Sequence, residues 1–307
     1  MAYTADEDLI LAELIKKFGP ALVARHAAHV YSQAYEDAAI AEIFSRINTH
    51  KKNFVEIGVE NGTENTTRLL LLQGWQGLWI EGNQAHEPAI REKFSAEIAS
   101  GQLKVTIAMA EPDNVQGLID EAGFGEGVDY LSVDIDQHTG HVFAAIRTPC
   151  RVACIEYNAS FPPAMDYEVP YAKGRGWDGS NIFGASLKRL ENLGREKSLS
   201  LVGCDLHGIN AFFVRNDLLA DKFAAPYTAQ HHFQPARYDL VPSERRGHPR
   251  PETIAEVPNF VGAGTKSLLD HLSSDRRVPG AVRKFLKLQW GRKRSETAKG
   301  YVRPPQG

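Results

Sequence analysis

Residues 54–70 read FVEIGVENGTENTTRLL. Phe54, Val55 and Ile57 make a short buried strand. Gly58 and Gly62 follow, and an apolar helix opens through Thr66 or Thr67. A strand that runs through a glycine turn into a helix is the first half of a βαβ unit, and it sets the fold class as α/β. Glu56 ends the strand, with the glycines two and six residues later. Glycine there lets the backbone turn sharply and approach a ligand closely.

The same rhythm continues downstream. GLWIEGN (77–83), LKVTIAMA (103–110), VDYLSVDID (128–136) and RVACIEYN (151–158) read as strands. Between them, PAIREKFSAEIASG, VQGLIDEAG and HVFAAIRT read as helices. Strands alternating with helices at this spacing imply a parallel sheet. After Asn158 the rhythm breaks into a long loop rich in Pro, Gly and aromatics (159–181), then a helix. LSLVGCDLHGINAFFVR (199–215) reads as two strands joined near His207 and Gly208, an antiparallel hairpin at the end of the sheet. Upstream, DLILAELIKKF (8–18) and YEDAAIAEIFSRI (35–47) carry apolar residues at helical spacing. The expected organisation is a helical segment over 1–50, a ligand-binding α/β domain over 51–220, and an irregular extension with a basic tail over 221–307.

The chain has 307 residues, 43% hydrophobic and 24% charged, the profile of a soluble globular protein. A net charge of -3 argues against a general nucleic-acid binder. From Arg276 onward there are ten Lys/Arg and one acid, a net of +9, which leaves -12 elsewhere. The segment AVRKFLKLQWGRKR is a basic amphipathic helix candidate. It could lie on an anionic membrane surface, dock a partner such as a glycosyltransferase, or be a solvated end; self-association stays open. The N-terminus is acidic where a signal peptide would be basic, and no stretch approaches about 20 apolar residues. Cys150, Cys154 and Cys204 sit in apolar runs, as reduced core thiols do. Together these features place the chain in the cytoplasm, with any membrane contact peripheral, at the inner face.

The strand ends carry the chemistry. The second strand closes on Glu81 and Gly82, and an acid there can accept both hydroxyls of a ribose. The third ends near Ala110, where an adenine often lies in such folds. A dinucleotide site wants G-x-G-x-x-G so that a helix N-terminus holds the pyrophosphate. Here that spacing fails, and Glu60 occupies the middle position. An acid would repel a pyrophosphate and favour a sulfonium or an amino group. The residues therefore point to S-adenosylmethionine.

Seven segments in order resemble the FkbM-type family of S-adenosylmethionine-dependent methyltransferases: YSQAYEDAAIAEIF, FVEIGVENGTENTT, GLWIEGN, LSVDID, IEYNASFPP, WDGSNIFGASL and LVGCDLHGINAFFVRNDL. The resemblance spans Tyr31 to Leu219. It implies a Rossmann-like class I methyltransferase fold, a seven-stranded, mostly parallel sheet with its last strand antiparallel. It also implies O-methyl transfer to a sugar or polyketide hydroxyl. By matching position, Glu56, Gly58 and Gly62 would line the methionine part, Glu81 would hold the ribose, and Gln33 would cap the cofactor. Glu60 departs from the family, where glycine is common.

Side chains two apart on a strand share a face, so Asp134 and Asp136 pair, as do Glu156 and Asn158 on the next strand. Three acids and an amide are oxygen donors suited to Mg²⁺ or Mn²⁺. A cation there would orient vicinal hydroxyls and lower the pKa of one. Asp134 would also border the cofactor. With Asp136 beside the reacting group, His138 and then His141 are candidate bases. The plainer alternatives are a helix cap for Asp134, an arginine partner for Glu156 and a surface place for His141. Asp-x-Asp is also a metal motif of glycosyltransferases, and a binding module without activity is a further reading. In the long loop, Tyr167, Trp177 and Asp178, with Tyr157 before it, suit a carbohydrate acceptor; the same composition suits a lid. His231 and His232 read as surface residues.

Overall fold

The β1 strand (Asn53–Ile57) alternates its apolar side chains between two cores. Val55 and Ile57 pack with Leu78, Ile80, Leu131 and Val133 on one face of the sheet. Phe54 packs with Trp79, Tyr130 and Val152 on the other. A strand buried on both faces is characteristic of parallel sheets covered by helices on either side. The chain is described for residues 5–25 and 30–240 from a computed structural model.

In chain order, α1 (Ala5–Phe18) and α2 (Glu36–Ile47) precede β1. Then come α3 (Arg68–Leu72), β2 (Gln76–Glu81), α4 (Glu87–Lys93), α5 (Ser95–Ala99) and β3 (Leu103–Ile107). Next are α6 (Val115–Glu121), β4 (Val128–Val133), α7 (Thr139–Ala145) and β5 (Cys150–Glu156). The chain continues through α8 (Leu187–Glu196), β6 (Leu199–Cys204), β7 (Asn210–Arg215) and α9 (Ala229–His232).

The sheet order is β3-β2-β1-β4-β5-β7-β6. Strands β1 to β5 pair in parallel, and β7 inserts antiparallel between β5 and β6. This is the Rossmann-like class I methyltransferase arrangement that the sequence implied. The α2, α3 and α4 helices cover one face and α6, α7 and α8 the other. Gly208 makes the β6–β7 turn at φ +73, and a Cβ there would stand 2.5 Å from the Pro235 carbonyl oxygen, so only glycine fits. Asp205 holds that turn by accepting from the backbone N–H groups of His207, Ile209 and Asn210.

The α1 helix docks on this turn. Leu11, Leu14 and Phe18 pack with Leu206 and Tyr35. Buried Glu7 accepts from His207 Nε2 at 2.9 Å. His232 is buried and stacks on Phe18, which corrects the surface reading; burial pushes its pKa down to about 3. The three cysteines are buried free thiols. Among the described residues no helix is long and apolar enough to cross a membrane. The basic tail and the segment SERRGHPRP lie outside the described residues.

Candidate functional site

A cavity of about 680 Å³ opens at the carboxyl edge of the sheet, where the strand order reverses between β1 and β4. Open α/β sheets bind ligands at such a point. Its floor is the first turn. Gly58 sits at φ +83, and a Cβ there would fall 1.7 Å from the Asp134 carbonyl oxygen. The strand ends of β1 and β4 can approach only because Gly58 has no side chain.

The other two residues expected around the methionine part act on the turn itself. Glu56 is buried and accepts from Asn65 Nδ2, from the N–H and hydroxyl of Thr66, and from the same groups of Thr67. Five donors use its lone pairs, so it shapes the loop and has none left for a ligand. Gly62, at φ +74, turns away from the cavity; a Cβ there would strike the Trp79 and Phe94 rings at 2.7 Å. Glu60 does border the cavity, and at φ +48 it holds the left-handed conformation that glycine tolerates best.

Glu81 ties two turns together. Its Oε2 accepts from Val59 N at 3.1 Å and Glu60 N at 2.7 Å, and Oε1 accepts from Asn83 N at 2.8 Å. A carboxylate offers about four lone-pair sites. His86 Nδ1 stands 3.4 Å from Oε1, so at most one of these sites is open to a ribose hydroxyl. Gln33, Gly82 and Ala110 border the cavity as expected positions around the cofactor.

The acids at the ends of β4 and β5 converge, by a route that strand alternation did not foresee. The β4 strand stops at Val133, and Asp136 takes φ +56 at the start of a 3-10 turn (Asp136–His138). That reversal, rather than the pleat, brings Asp136 beside Glu156, whose Oε2 accepts from Asp136 N at 2.8 Å. Asp134 and Glu156 are close enough for each carboxyl group to act on the other. Burial first, and the neighbouring acids second, push Asp134 well above the usual carboxylate range and Glu156 up to about 8.

The four-ligand metal set is not assembled. Asn158 is fully buried, donates to the carbonyls of Asn181 and Phe183, and accepts from Ser160 N. It stays outside the cavity because those bonds anchor the following loop. With its amide engaged there, Asn158 drops out of the expected donor set. Among the described residues no group of three or more His, Cys, Asp or Glu is placed to hold a metal.

His138 borders the cavity, with Nε2 3.0 Å from the Ala172 carbonyl. His141 does not border it. Its Nε2 points to the Val169 carbonyl at 2.8 Å and to Glu168 at 3.5 Å, because α7 turns that face towards the loop. Three of the four acceptor-binding candidates are also elsewhere. Tyr157 is in the core and donates to the Gln234 carbonyl. Tyr167 packs edge-on against Phe161. Asp178 is exposed and takes Arg175 and Ser180 N. Trp177 alone of the four borders the cavity.

The loop closes over the cofactor side. Tyr171 donates its hydroxyl to Glu111, Gly174 N donates to Glu111 Oε1 at 2.8 Å, and Lys173 pairs with Asp113 at 2.6 Å. Residues 169–177 thus bridge from the α7 histidines to the turn after β3, and Arg175, Gly176 and Trp177 form part of the wall. Lid is the better of the two readings of that loop.

Two residues at the site went unread in the sequence. Glu111 anchors the strap. Glu36 opens α2 and borders the cavity, accepting from Ala34 N at 2.7 Å and Asn210 Nδ2 at 2.8 Å. Burial, then Asp205, pushes it up to about 7. Its signal was the acid pair after Gln33 in YSQAYED, of which only the glutamine was taken. The lining is strongly acidic. Glu56, Glu60 and Glu64 come from the first turn, Glu81 and Glu111 from the ends of β2 and β3, and Asp134, Asp136 and Glu156 from β4 and β5. With Glu36 that is, among the described residues, nine carboxyl groups against one guanidinium, Arg175, and the imidazole of His138.

No protein-family model matches the chain, and no curated protein matches it. Solved structures similar to it include a S-adenosylmethionine-dependent methyltransferase from Clostridium acetobutylicum ATCC 824, at 11% identity and a TM-score of 0.37, covering 57% of this chain and 89% of that one. Another is the N-terminal domain of EvdMO1 in the presence of SAH and D-fucose, at 12% identity and 0.40, covering 69% and 96%. A third is spermidine synthase from Thermotoga maritima, at 15% identity and 0.35, covering 59% of each. Likeness of this degree carries no argument about reaction or acceptor.

Proposed function

We propose that this chain is a S-adenosylmethionine-dependent methyltransferase of the FkbM type, acting on a hydroxyl of a carbohydrate or glycosylated acceptor. The observation that carries the reading is the acidic cavity at the topological switch point, floored by Gly58. Its acidic lining opposes a nucleoside diphosphate and suits a sulfonium and an ammonium. A metal-dependent glycosyltransferase would need the opposite sign of field around its diphosphate.

When bound, the cofactor supplies an electrophilic methyl group whose bond to sulfur breaks as the acceptor oxygen bonds to carbon. The chain's residues position and shield. Gly58 lets the ligand lie against the backbone, Glu81 takes a ribose hydroxyl, and Glu60 faces the positively charged part. Residues 169–177 exclude water. Asp136 and His138 stand at the acceptor side, where the hydroxyl proton must go, and His138 is the base that would take it. In-line displacement depends on alignment, so this positioning carries much of the rate.

Titration calorimetry with S-adenosylhomocysteine and, separately, with a nucleotide sugar tests the reading. Binding of the first alone is expected. Binding of only the nucleotide sugar overturns it.

A further inference from the structure

We infer that Glu7 and His207 are positioning residues for the cofactor: the docking of α1 on the β6–β7 turn holds in place the stretch of cavity wall formed by Gln33, Glu36 and Ile209. What fills the cavity is taken from the methyl-transfer reading above.

The first observation is local strain. Gln33 and Glu36 border the cavity on either side of Tyr35, which takes φ +67. A bulky side chain rarely adopts that left-handed conformation, and it persists only where the surroundings fix it. Here they are α1 and the β6–β7 turn. The buried Tyr35 ring stacks on the His207 ring with centroids 5.3 Å apart, and it packs with Leu11, Leu14 and Leu206. The Glu7 carboxyl is close enough to act on its hydroxyl.

The second observation is a run of buried hydrogen bonds from α1 to the cavity. His207 Nε2 stands 2.9 Å from Glu7 Oε1, and neither residue is more than 1% exposed. The backbone N–H of His207 donates to Asp205 Oδ1 at 2.6 Å, and those of Ile209 and Asn210 donate to Oδ2. Asn210 Nδ2 donates to Glu36 Oε1 at 2.8 Å, and Glu36 Oε2 accepts from Ala34 N at 2.7 Å. Ile209 and Glu36, at the far end of this run, border the cavity, whereas among the described residues none of α1 does. Glu7 therefore acts on a ligand only through other residues. Its loss leaves His207 Nε2 buried without its acceptor, which is costly. Turning the ring to find another would break its stack on Tyr35. Docking of α1 and binding in the cavity thus favour each other, and such linkage is reciprocal.

The test compares the full chain with Glu7→Ala, Glu7→Gln and Leu11→Ala, with S-adenosylhomocysteine as the probe. Calorimetry should show Glu7→Ala binding it about five- to tenfold more weakly. Glu7→Gln keeps an oxygen that accepts from His207 and should bind as the unaltered chain does. Leu11→Ala loosens the packing of α1 but spares the bonds, so it should lower the thermal midpoint and leave the affinity unchanged. Hydrogen exchange gives a readout without ligand. In Glu7→Ala the amides of Ala34, Ile209 and Asn210 should exchange faster together, while those of β1 to β5 do not, which also shows that the variant folds. In the unaltered chain S-adenosylhomocysteine should slow exchange in α1 but not in α5, which likewise borders none of the cavity. Unchanged affinity in Glu7→Ala overturns the inference, as does an equal loss in Leu11→Ala or exchange in α1 that does not respond to the ligand. If Glu7→Ala does not fold, exchange in α1 of the unaltered chain decides. If S-adenosylhomocysteine does not bind the unaltered chain, the methyl-transfer reading falls and the ligand-free exchange of Glu7→Ala decides the positioning role; if it binds and its affinity ignores Glu7, only the positioning role falls.

Discussion

Gly58 and Glu60 stand two residues apart on the same turn and answer to opposite constraints. At Gly58 a side chain has nowhere to go, since its Cβ would occupy the place of the Asp134 carbonyl. Gly58→Ala should therefore force β1 and β4 apart and cost more than about 3 kcal/mol, near the top of the range for single substitutions. A urea midpoint close to that of the unaltered protein would refute the close approach. Glu60 has a side chain where the backbone prefers none. Glu60→Gly should relieve left-handed strain worth about 1–2 kcal/mol, offset in part by the greater freedom of glycine when unfolded. Its thermal midpoint should stay level or rise, while S-adenosylmethionine binds several-fold more weakly for want of the carboxylate. Weaker binding together with a lower midpoint would mean that Glu60 is structural.

At the scale of elements, the strap formed by residues 169–177 must open for the cofactor to pass. The Tyr171 hydroxyl is one of its contacts with the turn after β3, through Glu111, beside those of Lys173 and Gly174. Tyr171→Phe removes one hydrogen bond to a charged group, worth roughly 1.5–3 kcal/mol at most. Release of S-adenosylhomocysteine, followed by stopped-flow fluorescence, should quicken by about tenfold or more, with little change in stability. An unchanged rate would show that the strap is not the barrier. This element also marks the boundary of what the sequence discloses. Strands and helices were legible because apolar periodicity is local, and so was the reversal of β7, signalled by a tight turn between two apolar runs. That Gly58, Glu81, Asp136 and Trp177 border one cavity was legible because strand ends and loops in this fold face one edge. Asn158, His141 and Tyr157 were misplaced. Their orientation depends on hydrogen bonds to residues 181, 169 and 234, partners that no local pattern names. Asp136 reached the expected place through a positive φ that a strand period cannot anticipate.

Across the whole molecule, buried acids make stability depend on pH in an unusual direction. Glu36 is held up to about 7 in the fold, against 4.5 for an ordinary glutamate. Below pH 4.5 folded and unfolded chains both hold its proton, and the contribution to stability is complete. As pH rises towards 7 the unfolded chain releases the proton first, so that contribution is lost. Glu156, held up to about 8, extends the decline. The thermal midpoint should thus fall from about pH 6.5 to pH 8, above the range in which His232, held down to about 3, pulls the other way, and Glu36→Gln should reduce the part of that fall below pH 7. A midpoint that rises steadily over this range would contradict both assignments.

The contact between Glu7 and His207 joins residues 200 positions apart. A ribosome adds about 5–20 residues each second. The first helix therefore emerges and waits roughly ten to forty seconds before its docking site exists. For that interval Leu11, Leu14 and Phe18 lack the part of their cover that Leu206 supplies, which makes this segment a natural client for a chaperone during synthesis.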